Sequence, residues 1–190
     1  MSSVTDYRDE VFENLDSAFS FEGNNFESCQ FRNCQFENVS FENAMFADCV
    51  FKQCSLTLAT VTNTKFNETM FMQCKLSGLD FSQANPFLLH VYFVNSTLQS
   101  CSFSKLKLNH SKLTGCKITE CDFIGTSLMS SDFSNSVFSG TIFENADLSK
   151  ADFTDAVGYQ INPNINKIKN AVFTMPDAVN LLKTLDVEIR

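Results

Sequence analysis

The chain has 190 residues and a formal net charge of −8, from 14 lysines and arginines against 22 aspartates and glutamates. So acidic a balance argues against direct nucleic-acid binding, because phosphate contacts need clustered cationic side chains. No apolar run approaches the roughly 18 residues of a membrane span, and the acidic start lacks the basic and apolar regions of a signal peptide. We therefore expect a cytoplasmic protein of one domain without a membrane partner.

Residues 1–20 lie outside a five-residue pattern that begins at Phe21. Asp16 would fall where that pattern requires an apolar side chain. We interpret residues 1–20 as an N-terminal cap, irregular or helical, that covers the first edge of the structure that follows.

Residues 21–156 place an apolar residue at every fifth position. Thirteen such centres run from Phe21 to Phe81 and thirteen from Phe93 to Phe153, and 17 of the 21 phenylalanines occupy them. A helix would scatter this set around its axis, and a flat strand would send alternate members into water. The chain must therefore turn a corner once per pentad, which predicts a β-solenoid.

The residue two before each centre is mostly small or apolar, and all eight cysteines occupy such positions. We interpret the cysteines as small hydrophobic residues in the core wall. The sequence contains no CxxC pair that would suggest a metal site. Several cysteine pairs are 20 residues apart, which favours four pentads per turn: Cys29/Cys49, Cys34/Cys54, Cys54/Cys74 and Cys101/Cys121.

Residues 146–153, with the sequence ADLSKADF, resemble the A(D/N)LXX repeat of the pentapeptide-repeat proteins. The resemblance implies an all-β fold, a right-handed quadrilateral β-helix with four pentads per coil. On that basis 26 pentads would form about six and a half coils, a rod roughly 31 Å long.

The pattern is interrupted at residues 82–92, where the interval from Phe81 to Phe93 is 12 rather than 10. Pro86 cannot donate to a ladder, so we expect a bulged corner or short loop there. Two interpretations stay open: a tolerated insertion that packs on the rod, or a loop that contacts a partner. The candidate contact residues are Asn85, Pro86, Phe87, Leu88, Leu89 and His90.

Residues 157–190 follow the last regular centre, and we interpret them as a C-terminal cap. A turn-rich stretch leads to Pro176, which suits the first position of a helix near residues 176–185, and Val187 and Ile189 could form a last strand. The helix is either a lid alone or a lid that also forms a homodimer, as the family tendency suggests. Its apolar residues are Val179, Leu181, Leu182 and Leu185.

Charge is uneven along the chain. Residues 1–51 have ten acids against two arginines, and residues 120–155 have seven acids against one lysine, whereas residues 52–119 have seven lysines against two acids. The rod is therefore predicted to be acidic toward both ends with a basic waist. The acidic columns are either a solvated surface or a partner-binding surface, with these candidates: Glu22, Glu27, Glu37, Glu42, Asp122, Asp132, Glu144, Asp147 and Asp152.

No arrangement for catalysis, metal or cofactor binding is visible, so we expect a protein that is not an enzyme. Residues 158–168 and Met175-Pro176 resemble the microcin-immunity (McbG-type) and quinolone-resistance (Qnr) subgroup. The resemblance implies a DNA mimic that binds a type II topoisomerase, DNA gyrase or topoisomerase IV, and protects it from quinolone- or microcin-like poisons. The chain departs from the Qnr pattern in having one short break, no long loop and a basic waist. The alternative is a rigid β-solenoid scaffold for another protein partner.

Overall fold

The chain winds into a right-handed quadrilateral β-solenoid of about 8 turns with one short terminal helix, which confirms the predicted fold. The computed structural model describes residues 4–185, apart from the side chains of Leu88, Thr184 and Leu185. Neighbouring strands in the sheets are parallel and lie one coil apart: Phe31 pairs with Phe51, which pairs with Phe71. The 20-residue register confirms four pentads per coil.

Most strands are three residues long because each ends at a corner. The strands are β1 (Asp6–Arg8), β2 (Val11–Glu13), β3 (Asn25–Glu27), β4 (Gln30–Arg32), β5 (Gln35–Glu37), β6 (Met45–Ala47), β7 (Val50–Lys52), β8 (Ser55–Thr57), β9 (Lys65–Met72), β10 (Lys75–Ser77), β11 (Leu89–Val94), β12 (Thr97–Gln99), β13 (Lys112–Thr114), β14 (Lys117–Thr119), β15 (Val137–Ser139), β16 (Asp152–Phe153) and β17 (Val172–Phe173). Within residues 4–185, three 3₁₀-helices span Phe81–Gln83, Pro86–Leu88 and Asp177–Leu185.

The solenoid has four faces, each named here by its first regular centre. Successive pentads visit the Phe21, Phe26, Phe31 and Phe36 faces in that order, so the Phe21 face is opposite the Phe31 face. The register puts the following centres on the four faces. The Phe21 face has Phe21, Phe41, Val61, Phe81, Phe103, Phe123, Phe143 and Ile161, and the Phe26 face has Tyr7, Phe26, Phe46, Phe66, Leu89, Leu108, Leu128, Leu148 and Ile168. The Phe31 face has Phe12, Phe31, Phe51, Phe71, Phe93, Leu113, Phe133, Phe153 and Phe173, and the Phe36 face has Phe36, Leu56, Leu76, Leu98, Ile118 and Phe138.

The corners form where the residue two after a centre takes a left-handed backbone conformation. Asn33 has φ of 54° and Gln53 has φ of 56°. Asparagine tolerates this region better than most residues with a Cβ, and it recurs at the corners. Along one corner the amides also form a ladder, because Asn63 donates to Asn43 at 2.8 Å and Asn85 donates to Asn63 at 2.9 Å.

Phenylalanine rings stacked between coils fill the interior. The ring centroids of Phe31 and Phe51 are 4.6 Å apart, and those of Phe103 and Phe123 are 4.9 Å apart. Both pairs are nearly parallel, and all four residues are essentially inaccessible to solvent. Burial of each ring stabilises the fold by roughly 2–3 kcal/mol through area transfer.

All eight cysteines are buried free thiols in the wall of this core. They also donate hydrogen bonds: the Cys54 thiol contacts the carbonyl oxygen of Phe31, one coil away, at 3.3 Å. The Thr64 hydroxyl makes the equivalent contact with Phe41 at 2.7 Å. The position therefore favours a small side chain with a donor, and burial raises the pKa of Cys49 to about 12 and that of Cys116 to about 11.

The N-terminal segment differs from the expected irregular or helical cap, because it contains strands of the solenoid. Tyr7 of β1 stacks on Phe26 at 4.9 Å, and Phe12 of β2 stacks on Phe31 at 5.0 Å. The offset is 19 residues rather than 20. A single missing residue shifts the register and hides the repeat in the sequence, although the stack itself continues.

The repeat also continues beyond Phe153, where we expected it to stop. Phe173 stacks on Phe153 at 5.0 Å with the 20-residue register intact. Between them an irregular stretch inserts Tyr159 into the core. The predicted helix is present as the 3₁₀-helix Asp177–Leu185, whereas Val187 and Ile189 lie outside the described residues.

The same substitution at a buried and at an exposed phenylalanine tests whether the stacked rings stabilise the fold. Phe71→Ala removes a fully buried ring that lies between Phe51 and Phe93, so we expect the free energy of unfolding to fall by about 3–5 kcal/mol. Phe87 is 87% exposed, so Phe87→Ala should change it by less than about 0.5 kcal/mol. Urea unfolding followed by circular dichroism measures both, and equal effects would contradict the structure.

Candidate protein-interaction surface

The nine predicted acidic residues do not form one surface, because they lie on all four faces. Glu37 is on the Phe36 face, Glu27 and Asp147 are on the Phe26 face, and Asp132 and Asp152 are on the Phe31 face. The remaining four share the Phe21 face: Glu22, Glu42, Asp122 and Glu144.

The Phe21 face has acids and no bases at its outward strand positions. Asp80, which the sequence analysis did not select, joins the four acids, since it pairs through Ser102 with Asp122. The outward residues between them are mainly serine and threonine, and Lys105 lies only at the adjoining corner. Each of the other three faces has at least two lysines or arginines. We call the Phe21 face with these five acids the acidic face.

The basic waist is a ring rather than a patch. Four of its seven lysines fall within one coil, so the corners distribute these four around the rod. Lys107, Lys112 and Lys117 lie on the Phe26, Phe31 and Phe36 faces, and Lys105 lies at the corner before them. The ring is open on the acidic face, where the same coil presents Ser102 and Ser104.

Aspartate and glutamate have different roles on this surface. Asp122, Asp132 and Asp152 each precede a centre, and each carboxylate accepts a hydrogen bond from the backbone N–H two residues later, at 2.7, 2.9 and 2.8 Å. Asp147 accepts the same hydrogen bond from the N–H of Ser149 at 3.1 Å. The Ser149 hydroxyl, together with that N–H and with Lys167 at 3.5 Å, holds the pKa of Asp147 below the usual range. These aspartates stabilise turns.

The glutamates follow a centre and point outward. Glu22, Glu37 and Glu144 are exposed, Glu42 is half-buried, and Glu27 forms an exposed ion pair with Arg8 at 3.1 Å. The sequence signal for this difference is the position of the acid relative to its centre.

In the coil that contains the break at residues 82–92, some of the predicted loop residues are buried and others are exposed. Asn85 is held by the corner ladder and accepts a hydrogen bond from the N–H of Phe87 at 3.1 Å. Leu89 is buried and pairs with Phe66, whereas Pro86, Phe87 and His90 are exposed. The side chain of Leu88 lies outside the described part. The two extra residues change the inter-coil offset from 20 to 22, so that Phe93 stacks on Phe71 at 5.3 Å.

The C-terminal helix leaves one described leucine exposed. Val179 is half-buried, Leu181 packs against the core, and Leu182 is 40% exposed. The side chain of Leu185 is not among those described. The helix therefore covers the end of the core and presents a small apolar area outward.

Two further kinds of site are absent from residues 4–185. No group of three or more histidine, cysteine, aspartate or glutamate side chains is arranged to hold a metal ion in this part of the chain. Within the same residues, no helix is long and apolar enough to cross a membrane.

The structure is a repeat solenoid whose charged side chains lie on its exterior. Comparison with known proteins agrees with this repeat architecture. The "Pentapeptide repeat region" model matches residues 24–99, and the "Pentapeptide repeats (8 copies)" model matches residues 116–155. The chain belongs to the pentapeptide-repeat family. A comparison with curated protein sequences gives no significant match.

Solved structures share the fold. A trypsin-treated form of QnrB1, described as a plasmid-mediated fluoroquinolone resistance protein, is 22% identical, with a TM-score of 0.79 over 97% of this chain and 91% of that chain. Full-length QnrB1 is 18% identical, with a TM-score of 0.61 over 96% of this chain and 100% of that one. At these identities the likeness shows the fold alone.

The different roles of the acids can be tested on the acidic face. Asp122 accepts hydrogen bonds from the N–H of Ile124 at 2.7 Å and from the hydroxyl of Ser104 at 2.6 Å. We expect Asp122→Ala to lower the free energy of unfolding by roughly 1–2 kcal/mol. Glu144→Ala removes an exposed carboxylate and should have an effect below about 0.5 kcal/mol. Thermal unfolding of both variants measures the difference, and a destabilised Glu144 variant would contradict this assignment.

Proposed function

We propose that this protein is a DNA-mimicking protein that binds a type II topoisomerase, DNA gyrase or topoisomerase IV, through its acidic face and protects it from quinolone- or microcin-like poisons. The observation that carries the proposal is the absence of lysine and arginine from the outward strand positions of that face. A surface of one sign suits a groove of the opposite sign. The fold shared with QnrB1, a fluoroquinolone resistance protein, supports the choice of partner.

The spacing of the acids supports partial rather than complete mimicry of DNA. From Glu22 to Glu144 the acidic face spans six inter-coil steps, about 29 Å at the strand spacing. Five carboxylates lie within that length, whereas duplex DNA has one phosphate charge per roughly 1.7 Å of axis. The face therefore provides attraction and orientation, and the affinity requires additional contacts.

The ring of lysines restricts the orientation of the partner. Any face other than the acidic one would bring Lys107, Lys112 or Lys117 against a cationic groove. Like charges in a contact are strongly unfavourable. We infer that the partner contacts the acidic face and leaves the opposite Phe31 face free.

A matched pair of charge variants tests the proposal. The triple variant Glu22→Gln, Glu42→Gln, Glu144→Gln removes three charges from the acidic face. The control Glu10→Gln, Glu27→Gln, Glu37→Gln removes three charges located elsewhere. Gyrase supercoiling assays with ciprofloxacin measure protection at micromolar protein. We expect the native protein and the control to protect, and the acidic-face variant to be at least about tenfold less potent, because steering depends on local rather than net charge.

Equal loss in both triple variants would refute the role of the acidic face, and no effect of the native protein on gyrase or topoisomerase IV would refute the proposed partner. The second candidate, a scaffold for another protein, is favoured by Phe87, a large aromatic side chain that is 87% exposed. A partner other than a topoisomerase, captured by the native chain and lost with Phe87→Ala, would support that candidate.

We also propose a homodimer formed through the C-terminal cap. Leu182 is exposed on the helix beside a half-buried Val179. Light scattering of the full-length chain should give twice the monomer mass, and Leu182→Asp should give the monomer mass because burial of a carboxylate in an apolar contact is costly. A monomeric native chain would exclude this dimer.

A further inference from the structure

A cluster of apolar side chains lies on the outside of the Phe31 face, opposite the acidic face. Its members are half-buried and occupy outward strand positions that are polar or charged on most other coils: Val50, Met70, Met72, Tyr92 and Val94. The register stacks Val50, Met70 and Tyr92 in one column, and Met72 and Val94 in the column beside it. We call these five residues the apolar patch.

The apolar patch is a local departure from the repeat. It lies on β9 and β11, the two longest strands of the described part of the chain. Within residues 4–185, no other pair of successive coils has apolar residues at both outward positions of one face. Contiguous apolar surface marks sites of interaction, and methionine suits a surface that adapts its shape to a partner.

A lysine borders the apolar patch at each end. Lys52 pairs with Met72 at the N-terminal end, and Lys112 pairs with Tyr92 at the C-terminal end. Both lysines are exposed, and neither forms an ion pair with another residue of 4–185. The apolar patch therefore lies between two positive charges that have no counterion in this part of the chain.

The acids near the apolar patch are either distant or already bound. The outward positions of the Phe31 face between Glu13 and Asp132 have no aspartate or glutamate. Glu68, at the adjoining corner, accepts a hydrogen bond from the Tyr92 hydroxyl at 2.8 Å. Burial, together with Glu68, raises the pKa of Tyr92 to about 12, so this hydroxyl remains a neutral donor at physiological pH. Arg32 is paired with Glu13 at 3.3 Å, which leaves the two lysines as the available charges.

The dimensions of the apolar patch suit a single helix. Its two columns are two residues apart along a strand, about 6.6 Å, and a helix about 10–12 Å across covers both. A sheet would extend past the corners of the face. Lys52 and Lys112 are three inter-coil steps apart, about 14 Å along the rod. That distance corresponds to roughly nine or ten residues of helix at 1.5 Å per residue.

We propose that the apolar patch binds an amphipathic helix of a partner protein, whose apolar stripe has an acidic residue at each end. The stripe packs on Met70, Met72 and their neighbours, and the two carboxylates face Lys52 and Lys112. Packing supplies the affinity and the charges fix the position of the helix along the rod. The apolar patch is opposite the acidic face, so the proposal does not depend on which partner binds there.

Synthetic peptides and nuclear magnetic resonance test the site on the full-length chain. The peptide acetyl-EEAQLLAQLLQAEE-amide has this stripe when helical, and we expect it to give saturable shifts of the amides of residues 70–72 and 92–94. The peptide acetyl-KKAQLLAQLLQAKK-amide keeps the stripe but faces the lysines with like charge. The peptide acetyl-EEAQLLPQLLQAEE-amide breaks the helix at its centre. Each of these two should bind at least about tenfold more weakly.

The same substitution at two methionines locates the apolar contact. Met72→Asp places a carboxylate in the apolar patch and should weaken binding of acetyl-EEAQLLAQLLQAEE-amide by about tenfold. Met45→Asp makes the same change at a half-buried outward position of the Phe26 face, so it should leave binding unchanged. Circular dichroism verifies that both variants are folded.

Two pairs of lysine substitutions locate the charge contact at equal net charge. The variant Lys52→Gln, Lys112→Gln should weaken binding of the same peptide by about fivefold or more, because it removes both ends of the site. The control Lys65→Gln, Lys107→Gln removes two lysines of the Phe26 face and should change binding by less than about twofold.

Four results would overturn the proposal. The first is an absence of saturable shifts at residues 70–72 and 92–94 of the native chain. The second is equal binding of the lysine or the proline peptide, and the third is an equal loss of binding in the two lysine pairs. The fourth is a different occupant: a dimer of the native chain that Met72→Asp dissociates, or shifts at these residues with phosphatidylserine vesicles but not with the peptide.

Discussion

The whole structure depends on a register in which each residue lies beside its counterpart one coil away. Strands in a sheet are about 4.8 Å apart, and this is close to the separation of stacked aromatic rings. Phe31 and Phe51 are 4.6 Å apart, and Phe51 and Phe71 are 4.9 Å apart. Phenylalanine at the centres therefore satisfies the backbone ladder and the ring stack together. The stack survives the two-residue insertion, since Phe71 and Phe93 remain at 5.3 Å.

The same register decides which charges meet on the surface. Residues one coil apart lie at strand spacing, so identical charges there repel each other. Glu22 and Glu42 are such neighbours, but the next outward positions in that column are Thr62 and Ser82. Acids on this face are thus mostly separated by hydroxyl side chains. The waist lysines at positions 105, 107, 112 and 117 avoid repulsion differently, because a single coil places them around three faces and a corner.

The core and its period were predictable from the sequence because a five-residue repeat is incompatible with a regular helix or a flat strand. The ends were not, since the one-residue deletion before Phe21 shifts the register and the irregular stretch around Tyr159 interrupts the apolar pattern, while the solenoid continues through both. The type of the terminal helix was also hidden, because nine residues with this apolar pattern fit a period of either 3.0 or 3.6. A cleft between that helix and the end of the acidic face depends on where the helix lies, so it could be found only from coordinates.

The acidic face could have been found by writing the sequence in rows of 20 residues with a correction for the break, because one column then lacks lysine and arginine. The turn-forming role of Asp122 and Asp132 is marked in the sequence only by their position before a centre, because the hydrogen bond itself depends on the direction of backbone N–H groups. The candidate surface was therefore only partly predictable. Four of the nine selected acids share the face, and their selection did not use the position relative to the centre that separates turn-stabilising acids from those that point outward.

The low charge density of the acidic face has a consequence for any complex it forms. Exposed carboxylates attract and orient a cationic partner, but salt screening limits their contribution to affinity. A lasting complex needs contacts of another kind near the same surface. The cleft at Ile142 and Ile165 is on the acidic face itself, whereas Phe87 projects from the neighbouring side of the rod. In the complex we propose, a partner oriented by the carboxylates would reach this cleft without rotating around the rod.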